Sequence, residues 1–343
     1  MSVTGRERFL SAMQGKTLDR ISVFCADQTA TYEQMEELQA FWPEAHQKSE
    51  VMAKLAEGAY SMLGFDAVRV PFCQTIEAEA LGCKVKDAGK LGIPSIDIHP
   101  YHLGDDISLP EDFLKRGRIP ELINAVKILK ERVGDKVAVI GGVIGPYSIA
   151  TSLIGVTDFL KFSIKKPDQL TPYLDVAEQA GTQLAKALID AGADVICIED
   201  MMASMDMISK KIYQKLVAPW QKRQIEQLSV PTILHICGKL NSVMDDIAET
   251  GVTAISVEPK VDIEDAVAIL AKFDRPIPII GGVDAVDVLF SGGVEDVKNA
   301  VIKAIDGGYG LIAPGCSIAP ATPTSNLTAM IEAAIEKSVD KTA

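Results

Sequence analysis

The sequence predicts a (β/α)8 barrel (TIM barrel), and three observations lead to this fold class. Eight short apolar segments alternate with amphipathic, helix-like segments along a chain of 343 residues. The apolar segments are continuous, a pattern typical of parallel strands that are buried on both faces. No linker-like stretch divides the chain, and its length suits one barrel, so we expect a single domain over residues 1–343.

Each predicted strand is an apolar run that ends at glycine, proline or acidic residues. The first run, residues 21–25, leads into a polar turn at 26–29, and the seventh ends in a GGVD turn at 281–284. In chain order we predict strands at 21–25, 67–72, 137–141, 194–198, 232–236, 254–257, 277–280 and 310–313.

Helical periodicity fills the intervals between these strands. An N-terminal helix precedes the first strand, Pro43 interrupts the second helical region, and a loop is expected at 142–148. The predicted helices span 4–14, 32–62, 120–133, 157–162, 168–191, 209–227, 241–250, 263–273, 294–307 and 325–338. Residues 82–106, after the second strand, predict an excursion above the barrel that contains a hairpin. A doubly wound sheet is the alternative fold, but no glycine-rich phosphate-binding turn follows the first strand.

Composition narrows the function classes. The net charge of −13 argues against a nucleic-acid partner. No apolar run reaches the ~18 residues of a membrane span, and residues 1–10 lack the apolar segment of a secretory signal. We therefore expect a cytoplasmic protein. The six scattered cysteines then indicate thiols or metal ligands and not a disulfide framework.

The most informative stretch is residues 233–238 (ILHICG), where a strand ends in a histidine and a cysteine. Because side chains at i and i+2 share one face of a strand, His235 and Cys237 should point the same way. Imidazole and thiolate are common zinc ligands. Glu258 follows the sixth predicted strand and Cys316 follows the eighth, and in a barrel these strand ends meet at one rim.

The four side chains His235, Cys237, Cys316 and Glu258 would complete a tetrahedral zinc shell. Other interpretations remain open for each residue type. A lone cysteine is often a small core residue, and a strand-end carboxylate can cap a helix or pair with a lysine.

Four motifs resemble the methylcobamide:coenzyme M methyltransferases of methanogenic archaea, members of the uroporphyrinogen decarboxylase superfamily. They are LHICG at 234–238, GGVD at 281–284, APGC at 313–316 and TIEAEALG at 75–82. The resemblance covers essentially the whole chain. It implies that His235, Cys237 and Cys316 act in catalysis through zinc. Glu258 resembles the carboxylate ligand of cobalamin-independent methionine synthase, which implies a fourth ligand that substrate displaces.

The resemblance also implies a reaction. The thiol of coenzyme M would attack the methyl group of a methylated corrinoid, giving methyl-coenzyme M for methanogenesis. No Asp-x-His-x-x-Gly signature of a cobalamin domain occurs, so the corrinoid would arrive on a separate protein at an open, funnel-shaped mouth. The backbone N–H groups of Gly281 and Gly282 are candidate donors for the sulfonate, although the glycines can equally serve a tight turn.

Further residues near the predicted rim each have two interpretations. Arg69 either faces the barrel mouth or pairs with a carboxylate such as Asp66, and we favour the ion pair. Glu199 and Asp200 either accept a hydrogen bond from His235 or cap the next helix. The methionine-rich run at 201–205 either supports a corrin ring or packs in the core, and packing is favoured.

Three alternatives to the coenzyme M reaction stay open. One is a related zinc methyltransferase with another thiol acceptor. A second is a non-catalytic barrel that binds a corrinoid or porphyrinoid. The third is a metal-free decarboxylase, whose substrate-binding arginines near the end of the first strand are replaced here by the polar turn at 26–29.

Overall fold

The computed structural model describes residues 3–27 and 30–340, and its centre is a parallel sheet of seven strands. Neighbouring strands of this sheet follow one another along the chain, as in a barrel built from βα units. The strands of this sheet and of the hairpin are β1 (Ala67–Val70), β2 (Lys84–Lys86), β3 (Ser95–Ile98), β4 (Ala138–Ile144), β5 (Val195–Glu199), β6 (Thr232–His235), β7 (Ala254–Ser256), β8 (Ile279–Val283) and β9 (Leu311–Pro314). The sheet consists of β1 and β4–β9, whose residues are almost all buried, as continuous apolar runs predict.

The eighth position of the barrel is filled by the segment predicted as the first strand. It forms a single bridge, between Val23 and Ile312 of β9. Phe24 N donates to Ile312 O at 3.1 Å, and Asp66 N, just before β1, donates to Val23 O at 2.9 Å. Val23 N donates to the Asp66 side chain at 3.0 Å instead of to a neighbouring strand. The segment therefore joins the last and first strands of the sheet, and the predicted barrel is confirmed.

The helices pack around this sheet in the alternating order that the sequence predicts. They are α1 (Gly5–Ala12), α2 (Tyr32–Leu38), α3 (Ser49–Ser61), α4 (Ile76–Ala80), α5 (Ile119–Val133), α6 (Pro146–Ile154), α7 (Val156–Lys165), α8 (Thr171–Asp190), α9 (Lys210–Leu216), α10 (Ala218–Ile225), α11 (Met244–Ala248), α12 (Ile263–Leu270), α13 (Val294–Gly307) and α14 (Thr324–Asp340). The hairpin of β2 and β3 is antiparallel and confirms the predicted excursion.

Two local predictions were wrong in detail, and one helix was not predicted. The loop expected at 142–148 is the end of β4 followed by α6, whose first turn holds Pro146. The single helix expected at 209–227 is divided into α9 and α10 at Val217, just before Pro219. A π-helix at Ala285–Phe290 follows β8 and was not predicted.

None of the helices in the described part of the chain is long and apolar enough to span a membrane. The extent of the domain, residues 1–343, stays a prediction.

Candidate metal centre

Three side chains from the carboxyl ends of two strands converge at the barrel mouth. His235 is the last residue of β6, Cys237 lies two residues further on, and Cys316 lies two residues beyond the end of β9. His235 Nε2 is 3.4 Å from Cys237 Sγ, and the two sulfurs are 3.8 Å apart. One ligand atom from each residue lies within 4.8 Å of the others. The structure thus brings together three of the four residues that the sequence predicts as metal ligands.

The spacing and chemistry of these atoms fit a tetrahedral metal ion. Zn–S bonds of about 2.3 Å place two sulfurs of a tetrahedron about 3.8 Å apart, and a Zn–N bond of about 2.0 Å gives an N···S edge of about 3.5 Å. The observed separations are 3.8 Å and 3.4 Å. Both cysteines are free thiols. The donor set of one imidazole and two thiols is one that zinc prefers.

The imidazole of His235 is held by the neighbouring strand. Its Nδ1 makes a 2.9 Å hydrogen bond with the hydroxyl of Ser256, which is the residue paired with His235 in the β6–β7 ladder. This contact orients the ring so that Nε2 faces Cys237. A hydrogen bond at the opposite ring nitrogen is the usual support of a metal-binding histidine.

A hydrogen bond joins the two sulfurs. This bond lowers the pKa of the Cys316 thiol, with a further contribution from His235. The same hydrogen bond, together with burial, raises the pKa of Cys237. Metal binding would displace the thiol protons, since a ligating cysteine is a thiolate.

Asp27 is a neighbour of this cluster that the sequence analysis treated only as part of a turn. Its Oδ2 lies 3.4 Å from His235 Nε2, and the side chain is fully buried. Neither of its carboxylate oxygens has a hydrogen-bond partner among the described residues. Burial raises the pKa of Asp27, and His235 opposes that shift. Its position could have indicated a role in the site, because Asp27 follows the first predicted strand at the rim where barrel active sites lie. Gln28 and Thr29 of the same turn lie outside the described residues.

Glu258 lies two residues beyond β7, and its carboxylate contacts Lys260 Nζ at 3.2 Å. Its negative charge is close enough to contribute to raising the pKa of Cys237 and that of His235. It does not belong to the group of three whose ligand atoms lie within 4.8 Å. The role of Glu258 as fourth ligand stays a prediction.

Gly281 and Gly282 lie inside β8 and not in a turn after it, so the predicted end of this strand at 280 was wrong. They pair with Ile312 and Ala313 of β9. A Cβ at Gly282 would overlap Ala304 of α13, and the φ of Gly282 is +96°. Close packing of a helix on the strand therefore requires this glycine. The two glycines as sulfonate donors stay a prediction.

The predicted ion pair of Arg69 exists, but its partner is Glu199. The two buried side chains meet over β4, the strand between β1 and β5, whereas Asp66 binds Arg8 and Arg20. The suggested pairing of Arg69 with Asp66 was therefore wrong.

The two acidic residues at the end of β5, Glu199 as its last residue and Asp200 just after it, have separate contacts. Gln74 Nε2 donates to Glu199 Oε2 at 2.7 Å, so this carboxylate meets Gln74 and Arg69. Asp200 Oδ1 accepts from Ser148 N at 2.8 Å and caps α6, which is a preceding helix and not the next one.

A cavity of about 380 Å³ adjoins the metal centre at the mouth. Ser317, next to Cys316, forms one wall, and Arg69 and Glu199 form part of the lining. Met201 and Met202 also line this cavity, and both are half-buried against the core. The run at 201–205 therefore contacts both the mouth, where a corrin ring would lie, and the core.

The fold and this cluster define a class: a (β/α)8-barrel enzyme with a histidine–cysteine cluster at the mouth that could hold a metal ion. The chain belongs to the uroporphyrinogen decarboxylase (URO-D) family, whose model matches residues 4–337. It is 38% identical over 332 residues to "Methylcobamide:CoM methyltransferase MtaA" of Methanosarcina barkeri, covering 96% of this chain and 97% of that protein. It is 40% identical over 335 residues to "Methylcobamide:CoM methyltransferase MtbA" of Methanosarcina mazei, with the same coverage.

Solved structures agree. A "methyltransferase from Methanosarcina mazei" superposes with a TM-score of 0.93 at 36% identity over the full length of both chains. A B12-independent methionine synthase from Shewanella has a TM-score of 0.62 at 15% identity and covers 94% of this chain and 99% of its own, which shows a shared fold. The resemblance stated from the sequence is confirmed, and the chain is a methyltransferase.

Proposed function

We propose that this methyltransferase moves a methyl group from a methylated corrinoid, carried by a separate corrinoid protein, to the thiol of coenzyme M. The product is methyl-coenzyme M, the methylated thiol of methanogenesis. The observation that carries the proposal is the cluster of His235 Nε2 and two cysteine sulfurs at the mouth of a chain so similar to methylcobamide:CoM methyltransferases. The whole reaction is assigned to one domain, residues 1–343, in the cytoplasm.

His235, Cys237 and Cys316 would hold zinc, and Glu258 would be the fourth ligand, displaced by substrate. Zinc bound there would lower the pKa of a coordinated substrate thiol, about 8.5 when free, and keep its sulfur anionic at neutral pH. The Ser256 hydroxyl fixes the imidazole plane of His235. Glu258 carries one negative charge, as does the substrate thiolate that would replace it, so the exchange leaves the charge of the cluster unchanged.

The atoms and electrons of the methyl transfer balance without a further reactant. The substrate sulfur forms the new S–CH3 bond, the cobalt–carbon bond breaks, and its electron pair stays on cobalt, which changes from Co(III) to Co(I). The thiol proton leaves to solvent. The corrin ring is too broad for the cavity of about 380 Å³, so the ring would remain on its own protein and cover the mouth from outside.

The direct experiment mixes the purified, zinc-loaded protein with methylcobalamin and coenzyme M and follows the corrinoid spectrum. We expect formation of Co(I) that depends on the thiol. Homocysteine in place of coenzyme M tests the alternative acceptor: reaction with homocysteine alone would overturn the assignment to coenzyme M.

A second measurement separates catalysis from simple corrinoid binding. Cys237→Ala should abolish methyl transfer while circular dichroism remains that of the wild type. The matched control is Cys83→Ala, because the Cys83 sulfur contacts Ser152 O and does not belong to the cluster. Unfolding of the Cys237 variant together with loss of metal would indicate a structural ion in a binding protein.

A further inference from the structure

The mouth cavity contains a buried cation that the metal chemistry does not use. Arg69 is the only Lys or Arg among the described residues that line this cavity, and its side chain is 2% exposed. The protein carries a net charge of −13, so an anionic substrate needs a local cation to offset the overall repulsion.

The guanidinium of Arg69 is held in place but keeps hydrogen-bonding capacity. Nη1 donates to the carbonyl of Pro71, and Nη2 contacts Glu199. Nε has no hydrogen-bond partner among the described residues. The side chain lies over Gly142 of β4, where a Cβ would overlap the guanidinium. The glycine therefore leaves room for a charged group at the floor of the cavity.

The Arg69 guanidinium is connected to the histidine–cysteine cluster through two intervening carboxylates. Asp27 Oδ2 is 3.4 Å from His235 Nε2, and ligand oxygens of Asp27 and Glu199 lie within 4.8 Å of each other. Glu199 in turn contacts Arg69. At the other wall, Ser317 of the cavity adjoins Cys316. A continuous path of side-chain contacts therefore leads from the cluster to Arg69, along which a short substrate with its sulfur at the cluster could extend.

We propose that Arg69 binds the anionic end of the thiol substrate and selects two-carbon thiols that carry a sulfonate over neutral ones. This inference rests on the proposed function and makes Arg69, in place of the backbone N–H groups of Gly281 and Gly282, the residue that binds the sulfonate. A guanidinium offers two parallel donors to a tetrahedral or planar anion. Glu199 orients Arg69 when the cavity is empty. When the substrate anion binds the Nε–Nη2 edge of the Arg69 guanidinium, the Glu199 carboxylate remains held by Gln74, whose Nε2 donates to Glu199 Oε2 at 2.7 Å.

The test compares coenzyme M with 2-mercaptoethanol, which has a hydroxyl where coenzyme M has the sulfonate. Arg69→Lys keeps the charge but loses the fork of donors. The double variant Arg69→Met/Glu199→Gln removes both members of the ion pair, so that no unpaired charge remains buried. For the double variant we expect the selectivity, the ratio of kcat/KM for coenzyme M to that for 2-mercaptoethanol, to fall about 10- to 100-fold. Arg69→Lys should lie between it and the wild type.

Calorimetric titration of the zinc-loaded protein gives a readout that does not depend on turnover. The affinity for coenzyme M should fall by the same factor in the double variant. Arg132→Met is the matched control, because Arg132 lies on α5 and pairs with Glu50. It should retain the wild-type selectivity.

Two results would overturn the assignment of Arg69. One is unchanged selectivity in a folded, active double variant. The other is loss of selectivity in Lys260→Met, since Lys260 is the exposed cation nearest to Glu258 and the rival anchor. A wild-type protein that transfers methyl groups to no thiol would contradict the proposed function itself. That failure is distinguishable from failure of the Arg69 assignment, because it is measured on the wild type and not on the variants.

Discussion

His235 and Ser256 form a 2.9 Å hydrogen bond between imidazole Nδ1 and the serine hydroxyl, across two paired strands. The bond joins the histidine–cysteine cluster to the neighbouring strand β7. Because it occupies one ring nitrogen, the other faces Cys237. The spacing of His235 and Cys237 is visible in the sequence, whereas the serine that orients the imidazole is not.

We expect Ser256→Ala to weaken zinc binding about 10- to 100-fold, because the imidazole loses the contact that sets its orientation. Competition with a chromogenic chelator measures the affinity. Ser242→Ala, at an exposed position, is the control and should bind zinc like the wild type. An unchanged affinity in Ser256→Ala would show that packing alone holds the ring.

The cluster should bind about one zinc ion per chain, and Cys316→Ala should lower that content sharply, since two protein ligands hold zinc less well than three. Elemental analysis after dialysis measures the content. Without zinc, Cys237 and Cys316 should be the cysteines that are alkylated, because they are half-buried while the other four are buried. Bound zinc should protect both from alkylation, since it occupies their sulfurs. Equal zinc content in Cys316→Ala and Cys83→Ala would contradict the ligand assignment.

His46 provides a pH-dependent prediction away from the metal centre. It is stacked on Trp42 at 5.0 Å, and neither ring nitrogen has a hydrogen-bond partner among the described residues. Burial lowers the pKa of His46 from 6.5 to about 4. Between pH 6.5 and 4 the unfolded chain therefore takes up a proton that the folded protein does not. The contribution of His46 to stability falls as pH falls through this window, by roughly 3 kcal/mol in total.

His46→Phe removes this titration and the two unpartnered nitrogens. Urea unfolding at pH 7.5 and pH 5 should show that the variant gains stability relative to the wild type as pH falls. The comparison of variant with wild type is needed because Glu77 titrates in the opposite sense. Burial raises the pKa of Glu77 to about 7, so its contribution falls as pH rises from 4.5 to 7. A pH-independent difference between the two proteins would refute the assignment to His46.

Gly282→Ala should destabilise the protein by roughly 2–5 kcal/mol, from the positive φ together with overpacking against Ala304 of α13. Denaturant unfolding measures the loss. Gly251→Ala is the matched control, since Gly251 also has a positive φ, +87°, but no atom lies within 4 Å of a Cβ built there. It should cost about 1–2 kcal/mol. Adding Ala304→Gly to the Gly282 variant should recover part of the difference. Equal losses in the two single variants would contradict the packing argument.

The sequence by itself determined the parts of this protein that depend on local period and chain order. His235 and Cys237 share a face because strand side chains alternate, and Cys316 joins them because parallel βα units bring all strand ends to one rim. Continuous apolar runs likewise predicted the strands of the sheet. Local sequence patterns failed at α6. An apolar run after a glycine-rich strand end has the same local pattern in a buried loop and in a buried helix.

The tertiary structure decided which further side chains from separate strands meet at the site. It placed Asp27 beside His235, gave Arg69 the partner Glu199 instead of Asp66, and made Gly142 the floor beneath the guanidinium. It also closed the barrel through the short segment at Val23. The physical reason is that hydrogen bonds and ion pairs depend on distances of a few ångströms across the barrel, which strand period and order leave undetermined.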